Sequence, residues 1–521
     1  MTHNDEDSGE GLPALLPMSL ERFAVDAASP FPIYEQICQC VRVAIASGEL
    51  PGGAVLPTAR ALAARLKVGR NTVVVAYGRL AAEGHVTSNT RRGTRVAENP
   101  APFALGTLDE ERHQLTGAAQ TLPTTKLSVR ARHLFSENGE RPLSGIRALR
   151  SPDPSLYPRA ALGRLLAEEF AKPVFDETPD VERFQSALSI LLRQMRGIRC
   201  APQQIIPVVS TAHAFDLIVR LLIDRGDTVY VEDPFDPILR ECLQTGGAQL
   251  AYIPCDAQGA DITKVNGPRP RLVVISPSAN FPFGRQMSES RREAILQFAQ
   301  SHGAAILEWD RCWGLSYTGR RTGALQTQAP EGTLVYVDSF FETLGVHVQL
   351  GYIVVPDFLA QPLTSMIEQR GSWPAAFVLA AIARFVESHQ FNVHLSEVRK
   401  VYARRLRRLA DLCRISLDDA VVVEPNAGYT MAIEFPNGPD DTEVCRLAGD
   451  SLAIMPLSRL YRGASGTERA GLAIGAGALT ERMIDVVARQ IAKATREART
   501  GRYEPEAYPL ARLADALSSH H

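Results

Sequence analysis

The sequence predicts a multidomain protein in which an N-terminal winged helix-turn-helix domain precedes a larger C-terminal α/β domain with a mostly parallel sheet. Three observations support this prediction. The chain of 521 residues is too long for one ordinary domain. Residues 56–97 combine two short helical patterns with a basic hairpin. From residue 151 onward, apolar strand patterns alternate with amphipathic helices.

Residues 56–84 have the pattern of a helix-turn-helix. Thr58 can cap a short first helix, because its hydroxyl can accept a hydrogen bond from an N–H group of the first turn. A turn at residues 67–69 separates this helix from a second one, which begins near Arg70. The apolar residues of the second helix recur at helical spacing, at Val73, Ala76, Tyr77 and Leu80.

Polar and basic side chains stand where this module can meet a nucleic acid. The second helix begins with Arg70, Asn71 and Thr72, and the N–H groups and positive dipole of a helix N-terminus favour phosphate. Two short strands at 85–88 and 94–97 are joined by a basic tip. The tip carries Arg91, Arg92 and Gly93, and Thr94 begins the second strand. This arrangement is typical of a winged reader of double-stranded DNA.

The charge distribution favours the same interpretation. Between residues 31 and 97, nine Lys and Arg residues stand against three Asp and Glu residues, a local net charge of +6. The whole chain has a net charge of −2, so the remainder carries −8. The alternative is a small helical domain whose arginines are merely solvated. Concentration of positive charge on one module instead indicates binding to a phosphate backbone.

Residues 56–97 closely resemble the winged-helix domain of GntR-type bacterial transcription regulators. The matching elements are Leu-Pro-Thr-Ala-Arg (56–60), Arg-Asn-Thr-Val (70–73) and Arg-Gly-Thr (92–94). The resemblance implies that Arg60, Arg70, Thr72 and the hairpin contact operator DNA.

Composition and segment patterns suggest the cellular setting. The hydrophobic fraction of 45% and the charged fraction of 22% are typical of a soluble globular protein. The sequence contains no apolar run of about 18 residues and no signal peptide, which predicts a cytoplasmic protein without a membrane span. The eight cysteines form no Cys-x-x-Cys pair, which favours reduced thiols and gives no sign of a metal site.

The pattern along the chain predicts five segments. They are a disordered tail (1–28), the DNA-binding domain (29–97), a linker (98–149), the large domain (150–500) and a second tail (501–521). The buried strands expected in the large domain are 205–209, 228–232, 249–253, 271–275, 304–308, 333–338 and 352–355. A smaller α+β subdomain is expected from about residue 385, with strands at 429–434 and 472–474.

Residues 150–495 resemble the fold-type-I aminotransferase domain that is fused to a GntR reader in the MocR/GabR subfamily. The match is carried by Arg-Gly-Ile-Arg-Cys (196–200), Val-Glu-Asp-Pro (231–234), Phe-Pro-Phe-Gly (281–284) and Gln-Leu-Gly-Tyr (349–352). The resemblance therefore implies a fold-type-I aminotransferase-like domain and a pocket for pyridoxal phosphate.

The residues that hold this cofactor in the family differ here. The family uses a lysine for the Schiff base, which only a primary amine can form, and this chain has Glu342 at that position. The family's phosphate-binding arginine is replaced by Gln349. Trp309 and Arg311 stand where the family has the acid and the tyrosine that contact the pyridine ring. Asp310 is the neighbour that a one-residue slip of the alignment would place at the acid position.

Other family features of the pocket are also missing. The phosphate-binding turn, with Thr211 and His213, lacks the family's glycine. Ala279 replaces a polar residue beside the ring, and Asp236 replaces a stacking aromatic residue. No lysine lies between residues 265 and 399. Neutral drift can explain one such change, but the set predicts that no cofactor is bound covalently and leaves the binding of pyridoxal phosphate itself in doubt.

Three functions remain open at this stage. The first is a homodimeric DNA-binding regulator, not an enzyme, whose large domain serves dimerisation and senses a small-molecule effector through Arg311, Glu342, His213 and Gln349. The second is a pyridoxal-phosphate-responsive regulator or an active aminotransferase with a DNA-binding appendage. The third is a large domain that only spaces two DNA readers. Glu342 favours the first over the second, because a carboxylate forms no Schiff base.

Overall fold

A computed structural model divides the chain into two compact units, residues 1–126 and 127–521. The structure describes residues 25–26, 31–89, 93–98, 100, 149–173, 178–318, 322–345, 348–449, 452–463 and 469–500. Nearly all of the two expected tails and of the expected linker lies outside the described residues, as do Arg91 and Arg92 of the hairpin tip.

The smaller unit contains the predicted helix-turn-helix and hairpin. Its elements are α1 (Ile33–Ala46), α2 (Ala59–Leu66), α3 (Arg70–Ala82), β1 (Val86–Asn89) and β2 (Gly93–Val96). Thr58 caps α2 as predicted, because its hydroxyl accepts a hydrogen bond from the N–H of Ala61 at 3.2 Å. Lys67 ends the helix in the left-handed region, with φ of +55°, so the chain reverses before α3 begins.

The hairpin strands of the smaller unit begin and end one residue away from their expected positions. His85 was expected to start the first strand, but its N–H donates to the carbonyl of Leu80 at 2.9 Å. His85 therefore belongs to the C-terminal cap of α3, which Gly84 closes with φ of +78°. The strands then pair antiparallel, with Val86 opposite Val96.

One apolar cluster holds the smaller unit together. The predicted core residues of α3 are all buried, namely Val73, Ala76, Tyr77 and Leu80. They pack with Ile37 and Val41 of α1 and with Leu62 of α2. Each such side chain stabilises the fold by about 1.5–3 kcal/mol through burial. This packing fixes the position of α3, the helix that presents Arg70 and Thr72.

The larger unit is an α/β domain with a second, smaller sheet. Its helices are α4 (Arg159–Phe170), α5 (Thr178–Arg196), α6 (Thr211–Leu222), α7 (Pro237–Thr245), α8 (Glu289–His302), α9 (Phe341–Leu344), α10 (Asp357–Arg370), α11 (Ala376–Glu387), α12 (Gln390–Ser416), α13 (Asp441–Ala448) and α14 (Glu481–Thr500). The strands of its main sheet are β3 (Ile205–Val208), β4 (Thr228–Asp233), β5 (Gln249–Asp256), β6 (Gly259–Ala260), β7 (Leu272–Ile275), β8 (Ala305–Trp309), β9 (Leu334–Ser339) and β10 (Gly351–Val354).

The main sheet has the strand order β3-β10-β9-β8-β7-β4-β5-β6. The central pairings are parallel, while β10 runs antiparallel to both of its neighbours. All seven predicted strands are present, and the short β6 was not predicted. Because β3, β4, β7, β8 and β9 point the same way, their carboxyl ends lie along one edge of the sheet.

The two faces of the main sheet bury different apolar clusters. Along β4, Val229 and Val231 pack in one cluster and Tyr230 packs in the other. In β8, Ile306 packs in the cluster that contains Tyr230, and Trp309 packs in the cluster that contains Val229 and Val231. Side chains of consecutive residues at the end of β8 are therefore directed to opposite sides of the sheet.

The subdomain that follows contains a four-stranded antiparallel sheet in the order β11-β12-β14-β13. Its strands are β11 (Val421–Val423), β12 (Thr430–Glu434), β13 (Ile454–Pro456) and β14 (Gly471–Gly475). The predicted strands correspond to β12 and β14. The strands β11 and β13 were missed because three residues are too few to show a period-two pattern.

We expect the free energy of unfolding to fall as the pH rises from about 4.5 to 7, in part because of Glu232. Burial raises the pKa of this carboxyl group to about 7. The folded chain then keeps a proton that the unfolded chain releases, so stability decreases by at most about 1.4 kcal/mol per pH unit for this group. Denaturation of wild type and Glu232→Gln across this range checks the expectation; an equally steep decline in both contradicts it.

Candidate DNA interface and large-domain pocket

A local ion-pair cluster engages two acidic residues of the smaller unit, Glu35 and Glu83. Arg42 donates to both carboxylate oxygens of Glu83 at 2.8 Å and to Glu35 at 3.0 Å. Arg79 pairs with the same two acids, at 2.6 Å from Glu35 and 3.1 Å from Glu83. This cluster ties α1 to the C-terminal end of α3.

The remaining positive charge is concentrated around the turn between α2 and α3. Arg60, Arg65, Lys67 and Arg70 are not buried, and no carboxylate of the described residues lies within 4 Å of their nitrogens. Unpaired cations on one side of a small module are suited to contact phosphates. The predicted contacts Arg60 and Arg70 thus belong to one surface.

The N-terminal end of α3 is open to a ligand. Gly69 precedes the helix and offers no side-chain cap, and the first turn contains no acid. Arg70 and Asn71 are exposed there, while Thr72 is half-buried. The N–H groups at this end favour a phosphate oxygen, as the sequence predicted.

Two residues of α3 that sequence reasoning overlooked add apolar surface. Val74 and Val75 are 47% and 53% exposed. Both lie outside the buried face of the helix. Their position outside its apolar periodicity is the signal in the sequence that could have identified them. Exposed methyl groups on a helix that enters the major groove can contact the methyl group of thymine.

The hairpin also presents polar groups. Gly93 has φ of +75°, and a Cβ atom built there meets no heavy atom within 4 Å. The hydroxyls of Ser88 and Thr94 face each other across the strands at 3.5 Å. Gly93, predicted to lie in the tip, instead begins β2, and Thr94 follows it in that strand. Arg91 and Arg92 lie outside the described part of the chain.

In the larger unit, the carboxyl edge of the main sheet brings the predicted pocket residues together. One residue follows each of five strands: Thr211 after β3, Asp236 after β4, Ala279 after β7, Arg311 after β8 and Glu342 after β9. This edge is the usual place for a ligand in an open α/β sheet. Gln349, predicted to line the pocket, is instead exposed just before β10.

Side chains at the start of α6 accept hydrogen bonds from two backbone N–H groups. The hydroxyl of Ser210 accepts from the N–H of His213 at 3.1 Å. The Nδ1 atom of His213 accepts from the N–H of Val209 at 3.4 Å. Burial lowers the pKa of His213, so the ring is neutral at pH 7. Thr211 is buried in the same turn.

Trp309 and Asp310 lie on opposite sides of the sheet. The Trp309 ring packs against Phe215 and Phe235 at centroid distances of 6.3 Å and 6.4 Å. Asp310 accepts hydrogen bonds from Arg196 and Tyr336, both at 2.7 Å. The geometry gives no support to the one-residue slip that would place Asp310 at the acid position.

Arg311 is fully buried at the end of β8. Its Nη2 atom donates to the hydroxyl of Thr430 at 3.2 Å. Its guanidinium carbon lies 5.5 Å from the ring centroid of Phe281 and 6.0 Å from that of Trp309. Its Nε and Nη1 atoms have no hydrogen-bond partner among the described residues. This arginine therefore keeps two donors unused.

Glu342 lies in α9 and is also buried. Its carboxylate accepts a hydrogen bond from the hydroxyl of Ser339 at 3.1 Å. Burial, with the nearby carboxylates Asp310 and Glu342, holds the pKa of Asp338 well above its usual range. The Asp338 carboxyl group also accepts hydrogen bonds from Trp313 at 2.6 Å and from Tyr352 at 2.7 Å.

No pattern in the sequence indicated that Arg150 belongs to this pocket. Its Nη1 atom lies 3.2 Å from a carboxylate oxygen of Asp236. Its guanidinium carbon lies 5.9 Å from the ring centroid of Trp309 and 6.0 Å from that of Phe341. These partners are distant in sequence, so only the tertiary fold could show that Arg150 fills this space.

Comparison with known proteins assigns both units. Residues 33–96 match the family "Bacterial regulatory proteins, gntR family", and residues 167–458 match "Aminotransferase class I and II". The chain is 30% identical over 447 residues to "Probable rhizopine catabolism regulatory protein MocR" of Rhizobium meliloti, which covers 84% of this chain and 89% of that protein. It is 26% identical to "HTH-type pyridoxine biosynthesis transcriptional regulator PdxR" of Corynebacterium glutamicum, over 90% of this chain and 98% of that protein.

Solved structures show the same fold for the larger unit. An archaeal alanine:glyoxylate aminotransferase superposes with a TM-score of 0.62 at 20% identity, covering 67% of this chain and 89% of its own. The α-aminoadipate aminotransferase LysN of Thermus thermophilus gives a TM-score of 0.61 at 18% identity, covering 75% of this chain and all of its own, 100%.

The fold and the sites together define a DNA-binding transcription regulator with a fold-type-I aminotransferase-like domain. The chain belongs to the GntR family of bacterial regulators, and within it to the MocR type. None of the helices in the described part of the chain is long and apolar enough to cross a membrane.

We expect Arg70→Ala to weaken operator binding by about 1–3 kcal/mol, because it removes an exposed cation at the start of the recognition helix. Arg79→Ala is the matched control, since Arg79 lies on the same helix but is paired with Glu35 and Glu83. Wing variants such as Arg92→Ala should weaken binding to all sequences and flatten its salt dependence. The measurement is a DNA titration at several salt concentrations. Unchanged affinity in an Arg70→Ala, Arg92→Ala double mutant contradicts this interface.

Proposed function

We propose that this regulator controls transcription without transaminase catalysis, and that its large domain serves dimerisation and effector sensing. The observation that carries the proposal is Glu342, a buried carboxylate at the position that the family gives to the Schiff-base lysine. A carboxylate cannot condense with an aldehyde, so covalent cofactor chemistry has no nucleophile at this position.

The placement of the lysines supports this proposal. The chain has six lysines. Four of them lie on the surface of the larger unit, each beside an acid within 4 Å: Lys172, Lys264, Lys400 and Lys493. Lys67 belongs to the DNA-binding unit, and Lys126 lies outside the described residues. No described lysine is therefore available to replace the missing amine.

The other pocket residues also fit pyridoxal phosphate poorly. The first turn of α6, which would face the phosphate, is capped by Ser210 and His213. Gln349 is exposed rather than directed into the pocket. Asp236, at the position of the family's stacking aromatic residue, is paired with Arg150. We therefore derive no catalytic step through this cofactor.

The proposed assembly is a homodimer in the cytoplasm, built through the large domains. Two readers double the sequence information that one small winged module can use. Phe170 of α4 and Ile190 of α5 are 73% and 56% exposed, which is unusual for large apolar side chains and supports an interface on these helices. The proposed boundaries are residues 29–97 for the DNA-binding domain and residues 150–500 for the large domain.

We expect no borohydride-reducible adduct when the wild-type chain is incubated with pyridoxal phosphate. Glu342→Lys alone should also fail to form the yellow adduct, because the phosphate contacts and the ring acid are missing as well. Absorbance and peptide mass spectrometry are the measurements. An adduct on any lysine of the wild-type protein overturns the proposal, and a stable adduct in Glu342→Lys would show that only one residue separates this pocket from a working one.

Light scattering should give twice the chain mass of 56.8 kDa at micromolar concentration. Phe170→Glu should lower the observed mass if the exposed face of α4 belongs to the interface, because it places a charge on apolar surface. Arg220→Glu, on the exposed side of α6, is a control for a surface charge change. A monomer mass for the wild type, or full operator affinity in the isolated N-terminal domain, contradicts the proposed dimer.

A further inference from the structure

Arg311 differs from other buried arginines of the larger unit. Arg196 is bonded to Asp310, to Ser278 and to a backbone carbonyl. Arg292 donates to three carbonyl oxygens. Arg405 pairs with Asp153 at 2.6 Å. Arg311 is equally buried, yet the hydrogen bond that it makes within the described part of the chain is to the neutral hydroxyl of Thr430.

A buried guanidinium with two unused donors is costly in this setting. Removing a charge from water without a partner costs several kcal/mol, and an unpaired buried donor about 1–3 kcal/mol. The formal acids nearest in the pocket are engaged elsewhere: Glu342 accepts from Ser339, and Asp236 pairs with Arg150. No carboxylate among the described residues lies within 4 Å of a nitrogen of Arg311. An anionic ligand that accepts from Nε and Nη1 would offset this cost.

The charges and walls of the pocket indicate the class of anion. Two cations, Arg150 and Arg311, stand with two acids, Asp236 and Glu342, so a single negative charge is tolerated better than two. In the phosphate-binding turn of α6, the hydroxyl of Ser210 already accepts from the N–H of His213. Aromatic rings flank the guanidinium of Arg311. These features favour a monocarboxylate with an apolar body over a phosphate.

The site around Arg311 is closed to solvent in this structure, and the neighbouring Arg150 is partly exposed. The unused donors of Arg311 contact no solvent. Arg150 is the more exposed member of its ion pair, with 14% of its side chain accessible against 0% for Asp236. It lies against the same Trp309 ring as Arg311. Rotation of Arg150 away from Asp236 is therefore the simplest route to the buried site.

We propose that the large domain binds a small organic monocarboxylate, which Arg311 holds between Trp309 and Phe281 after Arg150 has turned away. This assignment rests on the proposed sensing function and specifies its ligand class. Arg150 is held by its backbone as well, because the hydroxyl of Tyr429 donates to its carbonyl at 2.6 Å and the neighbouring Leu149 is fully buried.

Calorimetric titration of the full-length protein tests this proposal. The probes are benzoate, benzamide as its neutral analogue of the same shape, and inorganic phosphate. Benzoate should bind saturably, and benzamide at least about tenfold more weakly, because it lacks the negative charge that pairs with the guanidinium. Arg311→Met should weaken benzoate binding at least about tenfold. Arg150→Gln should strengthen it several-fold, because the open pocket becomes more populated. Arg220→Met, on the surface, should change nothing.

Thermal unfolding provides a second readout that separates a ligand anchor from a structural arginine. Arg311→Met should leave the melting temperature unchanged or raise it, since it removes an unsatisfied buried cation. Arg196→Met should lower it, because Asp310 loses its partner. A loss of stability in Arg311→Met equal to that in Arg196→Met overturns the proposal.

The remaining outcomes are equally decisive. Failure of benzoate to bind both wild type and Arg150→Gln overturns the assignment, as does equal binding of benzamide, tighter binding of phosphate, or unchanged binding in Arg311→Met. Gel-shift titration with the region upstream of this gene is carried out with the same preparation. Loss of DNA binding there contradicts the regulator function, whereas intact DNA binding without benzoate binding contradicts only the ligand site.

Discussion

The parallel direction of the central strands is the constraint on which the pocket depends. Since β3, β4, β7, β8 and β9 run the same way, residues separated by more than a hundred positions meet at one edge of the sheet. Each strand contributes only the first residues after its end, and those residues are free of the sheet's hydrogen bonds. The fold thus supplies a pocket whatever side chains stand there, and the side chains decide its chemistry.

Within that pocket, the cost of burying charge separates structural groups from recognition groups. Arg196 and Asp310 neutralise each other on one side of the sheet, at 2.7 Å. On the other side, Asp236 is neutralised by Arg150, which leaves Arg311 with unused donors. A small anion at the unused donors of Arg311 is what we propose would complete this arrangement of opposed charges.

In the smaller unit, too, some charged groups are paired within the fold and others are not. Glu35 and Glu83 are held by Arg42 and Arg79, where they brace α1 against α3. The cations around the α2–α3 turn therefore remain available for phosphates. The arginines that pair with acids are therefore different from those predicted to contact DNA, so a small module can be both well packed and strongly basic.

The sequence by itself determined the two units, the helix-turn-helix and the seven main strands, because periodicity, caps and motifs are local properties. It could not determine the short strands β11 and β13, whose three residues show no period. Only the tertiary structure decided that Gln349 is exposed and that Arg150 meets Asp236. These placements depend on contacts between distant segments, which no local pattern encodes.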